Sequence, residues 1–128
     1  MTLRKKQITV LAVDDEAHGL SALKDIIQKT DNTIHCEQAK SVRSAVQAAK
    51  DKSISICVLD YHLGDGSAMD IISSLKMKHK SIIVSADERV AQTAKKIGIP
   101  FLIKPIDVKE FQSLFLPLLL NEQNENHE

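Results

Sequence analysis

Four short apolar runs, each ending abruptly at a polar residue, dominate the hydrophobic pattern of the chain. The central run covers residues 54–60 and stops at Asp60. The others cover residues 8–13, 82–84 and 101–103. Runs of this length, rich in β-branched residues and bounded by turn residues, are typical of strands buried on both faces of a sheet. A fifth run over residues 33–37 interleaves polar His35 and Glu37, which indicates a strand at the edge of the sheet.

The intervals between these runs carry apolar residues at helical spacing. In residues 17–29 they recur every three or four positions, which predicts an amphipathic helix. Four more helices are predicted to follow capping residues: Ser41, Ser67, Asp87 and Asp107. The last of these helices contains Pro117, which is expected to kink it or end it early.

Alternating strands and helices joined by short connections predict an α/β fold. The predicted architecture is a single doubly wound, five-stranded parallel sheet in the order 2-1-3-4-5, flanked by five helices, which is a flavodoxin-like arrangement. Residues 1–121 form one domain in this interpretation, and residues 122–128 form a disordered polar tail.

Composition narrows the classes of function. The 128 residues suffice for one domain with a real core. Because 17 basic side chains balance 17 acidic ones, no net field favours direct nucleic-acid binding or an anionic membrane surface. No segment is long enough for membrane insertion. Cys36 and Cys57 fall in predicted strands without metal-ligand spacing. They favour buried free thiols in a reducing cytoplasm and leave a disulfide as the alternative.

Candidate chemistry follows the predicted strands. Asp14 and Asp15 come after the first run, Asp60 ends the central one, Ser85 follows the run 82–84, and Lys104 follows the last. Since parallel strands gather their carboxyl ends at one edge of the sheet, these groups should converge where open α/β sheets bind ligands. The sequence therefore predicts a site holding three acids, a hydroxyl and an ammonium.

These segments resemble the four signature segments of response-regulator receiver domains, the phosphoacceptor modules of two-component and phosphorelay signalling. They occur in the order and at the spacings of that family, and they cover nearly the whole chain. The segments are Val13-Asp14-Asp15-Glu16, Val58-Leu59-Asp60, Ile83-Val84-Ser85-Ala86 and Ile103-Lys104-Pro105.

The resemblance implies a phosphoacceptor role for Asp60, with Lys104 holding phosphoryl oxygens. It assigns Asp14 and Asp15 to Mg²⁺ binding, together with Asp60 and the backbone carbonyl of His62. Three neighbouring carboxylates repel one another and require a cation. Mg²⁺ prefers such a hard oxygen shell. Phosphoryl transfer needs mainly this kind of positioning and charge compensation.

A conformational switch is also implied. Ser85 matches the switch hydroxyl, Phe101 the aromatic switch position, and His62 and Asp87 the variable positions that tune phosphoryl lifetime. A cis Lys104-Pro105 bond is expected because the family uses one and proline lowers its cost. Movement of Ser85 and Phe101 would change the surface formed by the fourth helix, the last strand and the last helix.

The implied partners are a sensor histidine kinase or a histidine phosphotransfer protein, and a downstream protein target. Leu116 and Leu120 lie off the main apolar stripe, so they could serve a partner or homodimer surface or pack against the tail. The protein would be a signalling switch that catalyses its own phosphorylation and dephosphorylation, without separate substrate turnover. Two alternatives are a phosphorylation-independent docking module and a small phosphohydrolase with Asp60 as nucleophile. The second would usually have an acid at position 62, where the chain has histidine.

Overall fold

The computed structural model of the chain describes residues 7–124. Its helices and strands in chain order are β1 (Thr9–Val13), α1 (Ala17–Thr30), β2 (His35–Ala39), α2 (Val42–Asp51), β3 (Ile56–Asp60), β4 (His62–Leu63), β5 (Gly66–Ser67), α3 (Ala68–Leu75), β6 (Ser81–Ser85), α4 (Arg89–Ile97), β7 (Phe101–Ile103) and α5 (Val108–Asn124). A single 3₁₀ turn, Lys78–Lys80, leads into β6.

Five strands form one parallel sheet in the order β2-β1-β3-β6-β7. With the small β4–β5 hairpin set aside, this is the predicted order 2-1-3-4-5, so the predicted fold is confirmed. Strands β1, β3 and β6 are buried along their whole length, whereas β2 and β7 lie at the edges and are partly exposed. Because all five strands are parallel, their carboxyl ends lie along one edge of the sheet.

Strand β2 begins later than predicted. The carboxylate of Asp31 accepts hydrogen bonds from both the backbone N–H and the hydroxyl of Thr33, at 2.9 and 2.6 Å. This turn occupies residues 31–33, so pairing with β1 starts only at His35. It then continues to Ala39, opposite Val13.

Apolar side chains cover both faces of the sheet, as its buried strands require. On one face, alternate residues of the strands pack against α1 and α5; on the other, they pack against α2, α3 and α4. The largest fully buried side chains include Phe111 and Phe115 of α5, whose rings stack at 4.9 Å. Helix α5 is therefore anchored firmly to the sheet.

Helix α5 continues past Pro117, so the expected early end of this helix is wrong. Leu119 and Glu122, which lie beyond the proline, are buried, and the Glu122 carboxylate forms an ion pair with Lys80 Nζ at 2.6 Å. These contacts compensate for the backbone hydrogen bond that proline cannot donate. Residues 122–124 are consequently helical and not part of a disordered tail, while residues 125–128 of that predicted tail lie outside the described range.

The two cysteines are free: Cys57 is buried in β3 and Cys36 is half-buried in β2. This agrees with the interpretation as unpaired thiols. Among residues 7–124, no helix has the length and apolar character needed to cross a membrane.

Candidate functional site

Four predicted site residues meet at the carboxyl edge of the sheet. One carboxylate oxygen from each of Asp14, Asp15 and Asp60 lies within 4.8 Å of the others. The ammonium of Lys104 lies 2.8 Å from Asp14 Oδ2 and 3.5 Å from Asp60 Oδ1. The expected convergence of acids and ammonium is therefore present, and it follows from the register of β1, β3 and β7 within one sheet.

Asp14 is completely buried at the end of β1. Its Oδ1 accepts a hydrogen bond from the backbone N–H of Glu16 at 2.9 Å, and its Oδ2 accepts one from Lys104. Helix α1 approaches this carboxylate so closely that a Cβ at Gly19 would lie 2.1 Å from Asp14 Oδ2. A side chain at position 19 would therefore force the Asp14 carboxylate or the helix to shift.

Asp60 ends β3 and is only 9% exposed. Burial raises its pKa from 3.8 to about 6; the Lys104 ammonium opposes this rise, and the neighbouring charges of Asp14 and Asp15 add to it. A carboxylate surrounded in this way carries a negative charge that the fold does not fully compensate.

Lys104 follows β7 directly, and its backbone N–H donates to the carbonyl of Ser85 at 2.9 Å. Burial by itself lowers the pKa of Lys104, but its bonds to Asp14 and Asp60 outweigh burial and raise that pKa. The ammonium therefore stays charged. The Lys104–Pro105 peptide bond is cis, as predicted.

Ser85 is buried at the end of β6, next to the β3–β6 pair that joins Asp60 and Val84. Its hydroxyl oxygen accepts a hydrogen bond from the backbone N–H of Asp87 at 3.0 Å, which links it to the segment leading into α4. Phe101 is half-buried in the edge strand β7 and packs against the apolar cluster under α4. Ser85 and Phe101 therefore lie on neighbouring strands beside α4.

His62 and Asp87, which are 25 residues apart in the chain, are in contact. His62 Nε2 lies 3.0 Å from Asp87 Oδ2. Arg89 binds the same carboxylate with two groups, Nε at 2.9 Å and an Nη at 3.0 Å. The hydrogen bonds from Arg89, and secondarily from His62, hold the pKa of Asp87 well below its ordinary value. Asp87 thus stays ionised and joins strand β4 to the start of helix α4.

Sequence reasoning missed two of these contributors, Gly19 and Arg89. The spacing of Arg89 two residues after Asp87 could have suggested a local ion pair, but its chelating geometry depends on the path of the loop. No sequence signal distinguishes Gly19 from an ordinary helical glycine.

The donor set fits a hard divalent cation. Three carboxylates at mutual distances below 4.8 Å are the ligands that Mg²⁺ accepts, and Mg²⁺ commonly uses one or two carboxylates while keeping water. Asp15 is exposed, so an ion could reach the cluster from solvent. The single lysine ammonium cannot neutralise three acids.

Sequence comparison with known proteins finds one matching family. The family described as the response regulator receiver domain matches residues 10–115. Sensory transduction protein LytT of Bacillus subtilis (strain 168) is 28% identical over 109 residues, which cover 82% of this chain and 45% of LytT. Acid tolerance regulatory protein ActR of Sinorhizobium medicae (strain WSM419) is 28% identical over 108 residues, which cover 80% of this chain and 55% of ActR. The chain spans about half the length of these relatives.

Solved structures with the same fold carry matching descriptions. A CheY-like response regulator receiver domain protein from Methanospirillum hungatei JF-1 superposes with a TM-score of 0.75 at 17% identity, over 94% of this chain and 99% of the other. A receiver domain protein from Clostridium thermocellum gives a TM-score of 0.76 at 21% identity, over 92% of this chain and 98% of the other. At these identities the structural match establishes the fold.

Proposed function

Because the chain belongs to the response regulator receiver family of two-component signalling proteins, we propose that Asp60 accepts a phosphoryl group from a phosphohistidine in a Mg²⁺-dependent reaction. The observation that carries this proposal is the position of the Lys104 ammonium, 2.8 Å from Asp14 and 3.5 Å from Asp60, beside three clustered carboxylates. An acceptor, a counter-charge and cation ligands are thereby within reach of one phosphoryl group.

The transfer requires an ionised acceptor. With a pKa of about 6, Asp60 is mostly carboxylate at neutral pH, and one of its oxygens forms the new P–O bond while the P–N bond to the donor imidazole breaks. Lys104 would bind an equatorial phosphoryl oxygen as a point charge. Asp14, Asp15, Asp60 and the backbone carbonyl of His62 would hold Mg²⁺, which when bound would neutralise acid and phosphoryl charge together.

Phosphorylation would bias a two-state element at the neighbouring strands. A donor hydrogen remains on the Ser85 hydroxyl, whose oxygen already accepts the Asp87 N–H, so a phosphoryl oxygen could draw Ser85 and this loop inward. Phe101 would then follow into the vacated space and alter the surface of α4, β7 and α5. Leu116 and Leu120 of α5 are 41% and 56% exposed, which supports a contact with a downstream protein or a second copy.

The proposal includes the partners and place of action. A sensor histidine kinase or histidine phosphotransfer protein would supply the phosphoryl group, and a downstream protein would read the changed surface. A cytoplasmic location rests on the two free thiols. The chain would then act as a switch that catalyses only its own modification.

Intact-protein mass spectrometry after incubation with an acyl phosphate and Mg²⁺ tests this function. We expect one added phosphoryl group per chain, and none when Mg²⁺ is removed by a chelator. Donor hydrolysis over many turnovers without an adduct would instead indicate a phosphohydrolase. If neither an adduct nor donor hydrolysis is observed, the remaining interpretation is a phosphorylation-independent docking module.

The pair formed by His62 and Asp87 is expected to prolong the life of the phosphoryl group. His62 is two residues beyond the acceptor and Asp87 two residues beyond Ser85, so their 3.0 Å contact should hinder water that attacks the phosphoryl group. Replacing either residue by alanine should shorten the phosphoryl half-life by about two- to fivefold. The double variant should add little, because the two side chains act as one unit. Loss of phosphate over time, measured by intact mass, checks this.

A matched control exists at the far edge of the sheet. His35 and Glu37 form a similar exposed pair at 2.9 Å on β2, away from the acceptor. His35→Ala should leave the half-life unchanged. Equal half-lives for the His62→Ala variant and the unmodified protein would contradict the gating role.

A further inference from the structure

The segment that follows Asp60 is a small hairpin. Strand β4 pairs antiparallel with β5, so that His62 lies opposite Ser67 and Leu63 opposite Gly66. A backbone hydrogen bond of 2.9 Å from the Ala68 N–H to the Tyr61 carbonyl closes its base. Only residues 64 and 65 form the tip. The hairpin therefore sets the direction of the His62 backbone, two residues beyond the acceptor.

The carboxylate of Asp65 at the tip of this hairpin binds the start of the neighbouring helix α2. The carboxylate of Asp65 accepts hydrogen bonds from the first two backbone N–H groups of α2, Val42 at 2.8 Å and Arg43 at 3.0 Å. The next N–H group, of Ser44, donates to the Ser41 hydroxyl. Asp65 thus supplies the acceptors that the helix start lacks, and its negative charge lies at the favourable end of the helix dipole.

Two further observations support a specific contact. A Cβ at Gly66 would lie 3.1 Å from Val42 Cγ2 and 2.5 Å from Asp70 Oδ2, so the hairpin backbone is in close contact with the starts of both α2 and α3. The two N–H groups of α2 hold the pKa of Asp65 below its ordinary value, so this carboxylate stays ionised at neutral pH. At the tip itself, a Cβ on Gly64 would meet nothing within 4 Å.

We infer that Asp65 is a positioning residue for the acceptor site, acting through the backbone of His62. The inference rests on the proposed function, in which the His62 carbonyl completes the Mg²⁺ ligands. At the tip, where Gly64 carries no side chain, the two hydrogen bonds from α2 restrain the hairpin in addition to its own strand pairing and the close packing of Gly66. The hairpin in turn would hold the backbone of His62 in place before the ion arrives. Residues outside a metal's own ligands commonly change its affinity in this way.

Mg²⁺ titration calorimetry on three variants of the whole chain tests the inference. Asp65→Ala removes both hydrogen bonds and should weaken Mg²⁺ binding about tenfold. Asp65→Asn keeps a carbonyl that can accept one of the N–H groups without charge, so it should weaken binding about threefold. The control is Asp107→Ala, which removes a comparable cap from α5, where Asp107 accepts the Glu110 N–H at 2.9 Å. It should leave Mg²⁺ affinity unchanged although it costs similar stability.

Amide hydrogen exchange and the Asp107→Ala control distinguish a specific effect of Asp65 from a general loss of stability. In Asp65→Ala, the amides of residues 42, 43 and 62–67 should exchange faster, whereas Asp107→Ala should accelerate exchange only in α5. Equal Mg²⁺ affinity of Asp65→Ala and the unmodified protein would overturn this inference and leave the proposed function intact. If the unmodified protein itself binds no Mg²⁺, both fail. An equal loss of affinity in Asp107→Ala would reduce the effect of Asp65 to general stability and also overturn the inference.

Discussion

Replacing Asp60 by asparagine is expected to abolish the phosphoryl adduct and, without Mg²⁺, to make the protein more stable at pH 8. The amide has the shape of the carboxylate but lacks the nucleophilic charge. It also removes one of three clustered negative charges at the sheet edge. A single substitution should thus eliminate modification and strengthen the fold at the same time.

The pH dependence of this stabilisation follows from the pKa of Asp60. Since the pKa rises from 3.8 to about 6 on folding, the folded state binds this proton more tightly than the unfolded state does. The group therefore favours folding below pH 3.8, and that contribution is lost as the pH rises through 6. Above this range the unmodified protein should be less stable than Asp60→Asn by about 1 to 2 kcal/mol, an effect reduced by the partial solvent contact of the site.

Urea unfolding at several pH values between 4 and 8, with intact mass in parallel, measures both effects. The stability difference between the two proteins should be small near pH 4 and level off above pH 7. Mg²⁺ should stabilise the unmodified protein more than Asp60→Asn. A stability difference that is independent of pH, or an adduct that persists in Asp60→Asn, would contradict this account.

Lys104→Ala is expected to have the opposite effect on stability. It removes the ammonium that lies 2.8 Å from the fully buried carboxylate of Asp14 and 3.5 Å from Asp60. A buried charge without its partner is strongly unfavourable. Because Lys104 is partly exposed, we expect a loss of about 2 to 3 kcal/mol at pH 8. The loss should shrink toward pH 5 as Asp60 takes up a proton, and the phosphorylation rate should fall at least tenfold.

Lys52→Ala is the matched control for this change. Its ammonium forms an ion pair with Glu37 at 3.0 Å on the exposed edge of the sheet, and exposed pairs contribute at most about 1 kcal/mol. Lys104→Arg separates charge from shape, since it keeps a cation but replaces a compact ammonium by a planar group. Should Lys104→Ala unfold at the same urea concentration as Lys52→Ala at pH 8, the ion pair of Lys104 with the buried Asp14 would not stabilise the fold more than an exposed pair does.

The sequence was sufficient to predict the sheet and the positions of the acids and the lysine at its edge. Asp14, Asp60 and Lys104 each follow an apolar run, and parallel pairing of such runs leaves few ways to place them apart. Ser85 was also predicted from its apolar run, and the resemblance then supplied the switch roles expected of Ser85 and Phe101. Each of these positions depends on the backbone path, which the hydrophobic pattern encodes directly.

Contacts between loops were not predictable in the same way. Asp65 and the start of α2, to which it binds, are more than twenty residues apart in the chain. Both lie in polar segments without hydrophobic periodicity. Arg89 meets Asp87 through a particular side-chain geometry. Near the carboxyl terminus, Pro117 locally disfavours a continuing helix. The buried contacts of Leu119 and Glu122 outweigh this preference, so α5 continues. Long-range packing decides such cases.

The bare backbone at Gly19 has a consequence for engineering. A designer who transplanted the three acids and the lysine into another scaffold of this family would copy the charges but not the close approach of the α1 backbone to Asp14. With any larger residue at position 19, either the Asp14 carboxylate or helix α1 would have to shift, which would disturb the 2.8 Å bond from Lys104. The smallest portable unit therefore includes a residue that carries no functional group at all.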